Sequence, residues 1–511
     1  MANKIDSNVT GLAFAEETSP KVLDANPVFY QLEPNSYDDF GGELSTVARN
    51  PINPSRQRKK GTITDLDASG GFNQDFTQNN MTRILQGFLF ANLREKGTTK
   101  PMNAAEIAVT AVDGTDKTYA IADGDDLFAA GTLVLASGFA NTANNGLKTV
   151  TAVSSTETTV SEALVDEASP PSAAMLRSVG FQFAAADATL TVTGGVVTFG
   201  TTTANLNDKG LSVGEWVFIG GATANSFANN APGYARIKSI AAKAIVFDKV
   251  TWPNPITDAG TGKTIRMHFG DFLRNEDDPD NIVFKTYNIE RTLGKDANGT
   301  QAEYLEGATA NELTLNIPQA DKFNVDLAFV ALDNTQRDGT AGPKSSAVGA
   351  TLVKALGEDA FNTSSNVYRI RMAVVDPANA NPTALFGYVT EATVTINNNV
   401  TPAKAVGVLG AFDTTAGTFE VGGDITAYFS TVAAVQAVRN NADVTLDVIL
   451  AKRNAAVIFD IPLLGLGGGR VNVEQDNPIT IPVEQMAAES PLGFTLGITW
   501  LPYVPTAGMP T

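Results

Sequence analysis

The sequence predicts a mainly β protein: two β-sandwich or barrel domains, each with a flanking α-helix, plus two small inserted β modules. Three observations predict it. Gly, Ala, Thr, Asn and Val are abundant while charged residues make up only 18%, a mix suited to short strands and tight turns. A unit near the N-terminus recurs near the C-terminus. The first copy of that unit is interrupted by a segment that is itself a tandem repeat.

The half-chain repeat is read from Glu43–Asp67, ELSTVARNPINPSRQRKKGTITDLD, against Glu391–Asp413, EATVTINNNVTPAKAVGVLGAFD. Asn50, Ile52 and Pro54 fall on Asn398, Val400 and Pro402. DASGGF (67–72) then sits against DTTAGTF (413–419), and a helix candidate follows each. A unit carried twice points to symmetric assembly or repeated contacts, and so to a building block.

In the first copy, residues 40–67 read as two strands around a basic turn, and 70–96 as a strand and a helix. The helix lies in TQNNMTRILQGFLFANLREKG, with Thr77 placed to cap it. Met81, Ile84, Leu85, Phe88 and Leu89 form one apolar face, and Gly97 is placed to end it. Residues 281–293 alternate through Val283, Lys285, Tyr287 and Ile289 as a half-buried strand does, and 303–333 carry a hairpin signal in LTLNI and VDLAFVALD. The second copy offers the strands YRIRMAVVD, EATVTI, TFEVGGDITAYF, DVTLDVIL and GFTLGITWL. Its helix is the shorter VAAVQAVRN, capped by Ser430 or Thr431.

The interruption covers roughly 98–272. GTLVLASG (131–138) pairs with GEWVFIGG (214–221), and ANNGLKTVTAV (143–153) with ANNAPGYARIKSI (228–240). TETTV and KAIVF follow in turn. Two β modules result, joined near Pro170–Ser178. Insertions are tolerated on exposed surface, so the modules are expected outside the main body. The expected domains are 1–97 with 273–340, a first module 98–178, a second module 179–272, and 341–511.

Composition excludes several chemistries. The chain has no Cys and one histidine, His268, so thiolate chemistry is absent and any zinc site or Ser-His-Asp triad would rest on that residue. His268 sits in an alternating run and reads as a strand residue. The net charge of −19 opposes tight binding to a phosphate backbone. The opening MANKIDSNVTGLAFAEETSP has neither the basic nor the apolar region of a signal peptide, and no apolar run approaches the roughly 18 residues of a membrane span. A soluble protein made in a cytoplasm is expected.

The remaining motifs read more simply as structure. SRQRKK (55–60) is the one dense basic cluster; a solvated or subunit-contacting turn competes with a nucleic-acid contact, and no aromatic interleaves it. GDFLRNEDDPDN (270–281) is carboxylate-rich, but Pro279 interrupts it and the closing Glu of a calcium loop is missing. GLGGG (465–469) lacks the Lys-Ser/Thr of a phosphate loop and runs into a strand-like segment. No motif selects a glycosidase-type carboxylate pair among the 55 acidic residues.

With the repeat and the insert in hand, the chain resembles the tail tube (major tail) proteins of long-tailed bacteriophages, in a duplicated form. YQLEPNSYDDFGGELSTVARNPINPSRQRKKGTITDLDASGGFNQDFTQ, YLEGATANELTLNI and GTFEVGGDITAYFS carry the resemblance, which covers both body copies. It implies a virion protein, made in the host bacterial cytoplasm, whose β-sandwich units form six-unit rings stacked into a hollow tube. Genomic DNA passes transiently through the lumen. The partners implied are other copies of the chain and the tail terminator, tape measure and tail-tip proteins; no membrane, catalyst or cofactor is implied. Two copies per chain favour a trimeric, pseudo-hexameric ring over a true hexamer. The candidate turns for ring contacts hold Asn50, Arg56, Arg58, Lys59, Lys60, Asn398 and Lys404. Asp38, Asp39, Glu420 and Asp424 are candidate lumen acids. Two other readings compete: a secreted or surface-layer β-modular adhesin or glycan binder, and a polysaccharide hydrolase on a β scaffold. The first predicts an export signal. The second predicts a cleft of acids and aromatics, whereas Trp216, Trp252 and Trp500 lie far apart in sequence.

Overall fold

The computed structural model describes residues 5, 7–52, 54, 57–95, 107–121 and 128–510. Among the described residues, two matching sets of eight elements make up most of the two body copies. In the first they are β1 (Gly11–Ser19), β2 (Pro34–Ala48), β3 (Gly61–Asp75), α1 (Thr82–Leu89), β4 (Tyr287–Lys295), β5 (Thr300–Ile317), β6 (Asn324–Ala331) and β7 (Asp333–Arg337). In the second they are β8 (Val367–Val374), β9 (Val389–Asn397), β10 (Glu420–Tyr428), α2 (Ala433–Arg439), β11 (Val444–Lys452), β12 (Ala455–Gly468), β13 (Thr480–Ala487) and β14 (Gly497–Leu501).

The two sets pair in the same way. β1 lies on β4 as β8 lies on β11. The hairpin β2–β3 answers β9–β10, and β6 lies on β3 as β13 lies on β10. The long β5 serves two layers: its first half lies between β4 and β7, its second against β6. β12 does the same with β11, β14 and β13.

This pairing corrects the register read from the sequence. Tyr37, Phe72 and Leu327 are cross-strand partners in the first copy; Ala392, Ile425 and Val483 are their counterparts in the second. Asn50 and Asn398 are therefore not equivalent. The resemblance that aligned them lies in the turns, whereas strand register is fixed by which side chains face the core.

One apolar core runs through both copies. Phe14, Phe72, Ile84, Phe88, Leu315 and Phe329 from the first join Ile396, Ile425, Leu446, Val457, Val483 and Trp500 from the second. Helix α1 lays Ile84, Leu85, Phe88 and Leu89 into it, which is the face the sequence predicts. Its ends differ from expectation. The helix starts at Thr82 with Met81, not Thr77, in the cap position, and Met81 has no side-chain oxygen to cap it; upstream, Asn79 is held by Glu358 through both its N–H (2.9 Å) and its side chain (2.6 Å). It ends at Phe90 in a left-handed conformation, φ 46°, so that Ala91 can bond back to Gln86 and Arg94 can pair with Phe272; Gly97 lies outside the described residues. For α2 the cap position is Val432, not Ser430 or Thr431, and it makes no side-chain cap bond; the Thr431 hydroxyl just before it accepts from the Ala433 N–H at 3.3 Å. β4 begins only at Tyr287, because the Val283 N–H is already bonded to Phe90.

The insert forms a second, separate sheet. Its two modules repeat one antiparallel meander. Thr132–Ser137 pairs with Gly146–Val153, which pairs with Glu157–Val160. Trp216–Ile219, Gly233–Ala241 and Ala244–Val250 pair in the same order. A Thr-Ala-Asn 3₁₀ turn, 142–144 or 223–225, precedes the middle strand of each. The strand Met175–Gln182 joins the modules, bonding to Thr132–Ser137 on one side and to Arg266–His268 on the other. Each module has its own core, around Tyr119, Val134 and Leu176 in the first and Phe199, Ile237 and Phe247 in the second.

The second module does not stand clear of the body. Trp216, Phe218 and Tyr234 bury themselves against Ile449, Ala451, Ile458, Leu501 and Val504. Beside them, Arg236 makes a two-pronged contact with Asp460 (3.0 and 3.1 Å) and bonds Asp248 (2.9 Å). Lys249 and Arg369 share Asp447. β11 is thus covered on both faces, and its residues are buried from Val444 through Ala451. The expectation of a peripheral insert fails here because an aromatic strand from the insert supplies the missing cover.

Candidate assembly surface

The two copies are joined strand to strand. β5 of the first pairs with β9 of the second over Glu312–Ile317 and Ala392–Asn397. Eight strands therefore run as one sheet, in the order β2-β3-β6-β5-β9-β10-β13-β12. The joint is head-to-tail: the trailing edge of one copy meets the leading edge of the next. Such a contact is heterologous and leaves its two halves unused at the ends. At one end β2 pairs with β3 alone among the described residues, so the side that β9 offers to β5 is open there. At the other end the open segment is Gly467–Asn472, the counterpart of Glu312–Ile317 by its register on β13. Gly468 and Gly469 there have φ of 67° and 77°, a left-handed bend that an extended strand does not have.

Strand alternation puts one face of this sheet on the core and leaves the other wet. The wet face carries Asp38, Asp75, Asp326, Glu312, Glu391, Glu420, Asp424 and Glu484. None of the eight strands contains Lys or Arg. Amide side chains stitch the face across four strands. Asn35 donates to Asn73 (3.0 Å), Asn73 to Asn324 (3.0 Å), and Asn316 to Asn324 from the other side (2.9 Å). Asn73 and Asn316 also donate to the two oxygens of Asp326, at 2.7 and 2.6 Å. This ladder holds the carboxylates in place without neutralising them.

Of the acids named from sequence, Asp38, Glu420 and Asp424 lie exposed on this face. Asp39 sits in a bulge with φ of 40°, between Asp38 and Gly41. Asp75, Glu312, Asp326, Glu391 and Glu484 share the face with them; the alternation in ELTLNI and VDLAFVA turns Glu312 and Asp326 away from the core, and the strand pairing shows that they share one face.

The hairpins extend as two arms. The first continues β2 and β3; Asn50 lies exposed beyond β2, and Arg58, Lys59 and Lys60 lie exposed before β3. Arg56 falls outside the described residues. The second arm is Thr401–Lys404 paired with Ala411–Thr415. Its root is fixed by Asn398, which is buried rather than displayed and donates to the carbonyls of Phe88 (3.2 Å) and Ala310 (3.0 Å). Lys404 bridges Asp65 (2.6 Å) and Asp67 on the first arm. Hydrogen bonding from Lys404 holds Asp65 below the usual carboxylate range, and both acids raise the Lys404 ammonium. Apolar side chains line the arms: Leu44, Val47 and Ile52 on the first, Val406, Leu409 and Phe412 on the second, all exposed.

Among the described residues no group of three His, Asp or Glu is placed to hold a metal, and no helix is long and apolar enough to cross a membrane.

The fold defines a mainly β protein whose two copies are joined head-to-tail, strand to strand. Comparison with known families agrees. The sequence model described as phage tail tube protein matches residues 211–496, more than half of the chain, from within the second module to the residue before β14. The chain belongs to the phage tail tube protein family. No curated protein matches it.

Proposed function

We propose that this chain is the structural subunit of a long phage tail, closing head-to-tail into rings that stack as the tube through which genomic DNA passes. One observation carries the reading: the β5–β9 joint, whose two halves recur at Gly467–Asn472 and β2 with the corresponding side open among the described residues. Repeating that joint between chains continues the sheet, and three chains supply the six copies of a ring. A closed sheet has no open edge, which resolves the liability each free chain carries. The wet face then lines the lumen. Its carboxylates repel phosphate, so DNA slides without adhering. The role is structural rather than catalytic. Tail terminator, tape measure and tail-tip proteins would meet the same edges and arms at the ends of the tube.

The test is electron microscopy of the purified protein, alone and with tail-tip components, averaged down the ring axis. Rings or tubes with three outer projections, one per insert, are expected. Six projections would keep the tube and replace the trimer by a hexamer. Absence of rings under both conditions would overturn the reading.

A further inference from the structure

Two turns in this chain share a shape and differ in burial. One joins β5 to β6, the other β12 to β13. Asn316 pairs with Asn324 across the first and Asn472 with Thr480 across the second, so the turns are 317–323 and 473–479, equal in length. Each has a left-handed residue at the same place, Ala320 (φ 55°) and Asp476 (φ 63°). Phe76, just after β3, donates its N–H to the Phe323 carbonyl at 2.9 Å; Phe429, just after β10, donates to the Ile479 carbonyl at 2.9 Å. The glycine bend takes up one extra residue on β12 before the turn begins. Ile317 therefore corresponds to Val473, and Phe323 to Ile479.

Ile317 and Phe323 are 4% and 0% exposed, whereas Val473 and Ile479 are 72% and 40% exposed. The cover on the first turn comes from the second copy. Ile317 pairs with Ala392 on β9. In the segment that leads into β8, the Phe361 carbonyl accepts from the Phe323 N–H at 2.8 Å, and the Thr363 N–H donates to the Asp321 carbonyl at 2.9 Å. The Thr363 hydroxyl accepts from the Asp321 N–H at 3.0 Å. Among the described residues, the second turn bonds only to Phe429 and within itself, Asn477 to Glu474. The corresponding lead-in precedes β1, in the copy whose β2 edge is open, and Ile5 and Val9 there are exposed as well.

We propose, resting on the ring reading, that the turn 473–479 is a docking knob for a second copy of this chain. It seats against the open side of that copy's β2 and the segment leading into its β1, and buries Val473 and Ile479 as the first turn buries Ile317 and Phe323. The occupant is set by the chain itself, because the same turn is already seated once on the same kind of lead-in and strand edge. The knob is apolar where it meets its partner, so its contribution comes from area removed from water and tolerates salt.

Hydrogen exchange of the wild-type protein, as free subunit and as tubes, reads the contact without any substitution. Amides of 473–479 should exchange about ten-fold more slowly, or slower still, in tubes, while those of 317–323, already covered, should not change. Equal exchange at 473–479 in the two forms overturns the docking and leaves the ring standing. In parallel, Val473→Asp and Ile479→Asp should each raise the protein concentration needed for assembly by about ten-fold. The urea midpoint of the free subunit should stay unchanged; a fall would assign these side chains to the subunit's own core and overturn the proposal. Val165→Asp, at a similarly exposed position on the first inserted module, should leave the threshold where it is. Thresholds that move equally for all three variants, or for none, also overturn the docking. Wild-type protein that forms no rings overturns the ring reading, and the docking with it.

Discussion

Acid should weaken this fold through one residue. His268 is the chain's sole histidine. It lies on the strand Arg266–His268, between the joining strand Met175–Gln182 and Trp216–Ile219, buried beside the rings of Phe218 and Tyr503. Neither ring nitrogen has a hydrogen-bond partner. Burial, and then the nearby Arg266 charge, lower its pKa to about 3; the Gly220 backbone pulls the other way without reaching hydrogen-bonding geometry. The unfolded chain regains a pKa of about 6.5. Between these values the unfolded state binds more protons, so stability falls as pH falls. The slope is about 1.4 kcal/mol per pH unit, and the loss reaches about 2 kcal/mol at pH 5. Urea unfolding of wild type and His268→Phe at pH 7 and pH 5 isolates the effect. The comparison is of each protein with itself, so a constant packing change cancels, and the variant should lose about 2 kcal/mol less than wild type. The lone imidazole resonance should also stay unprotonated in the folded protein down to pH 5. Equal acid losses in the two proteins, or an imidazole titrating near 6.5, would refute the argument.

Other outcomes follow from the same structure. Asp447→Asn leaves Lys249 and Arg369 buried without their shared carboxylate and should cost about 3–5 kcal/mol in urea unfolding. Trp216→Ala empties the contact between the second module and β11; a loss of about 3–5 kcal/mol is expected, with faster proteolysis inside 179–272 than in the body. Reversing the wet face with Glu312→Lys and Asp326→Lys should leave the subunit folded, since both side chains are exposed, but make assembled tubes retain double-stranded DNA in low-salt co-sedimentation. Tubes that bind no more DNA than wild type would place that face outside the lumen.

Much of the fold was legible because burial leaves a period in the sequence. LTLNI and VDLAFVALD alternate, and they are β5 and β6. Ile84, Leu85, Phe88 and Leu89 mark a helix face, and they enter the core. The tandem insert showed in the spacing of its strands. Register was not legible, because the identities that align Asn50 with Asn398 lie in arms of different shape. In the second copy the chain bends at Asn399, φ 49°, whereas the first arm carries straight on from its strands. The seating of the second module was also hidden. Trp216 and Phe218 look like any core strand, and nothing local shows that they cover Ile449 and Ile458 more than two hundred residues away. At the candidate surface, composition pointed to acids, but choosing which ones required knowing the face. Asp38 and Asp424 lie on it; Glu312 and Asp326 needed the pairing to be seen.

The glycine bend at the end of β12 bears on timing. In β5, the residues that correspond to Gly468 and Gly469 are extended and hydrogen-bonded to β9. In the free chain the glycines turn away in the left-handed region instead. In the proposed ring this segment must straighten before the next chain's β2 can pair with it. A glycine run resists straightening by itself, since its conformational freedom is large. A template that already presents a straight edge removes that step. Such a subunit can accumulate to high concentration without polymerising and then add rapidly to a growing end, so the onset of a tube is set by whatever supplies the first ordered edge rather than by the amount of subunit present.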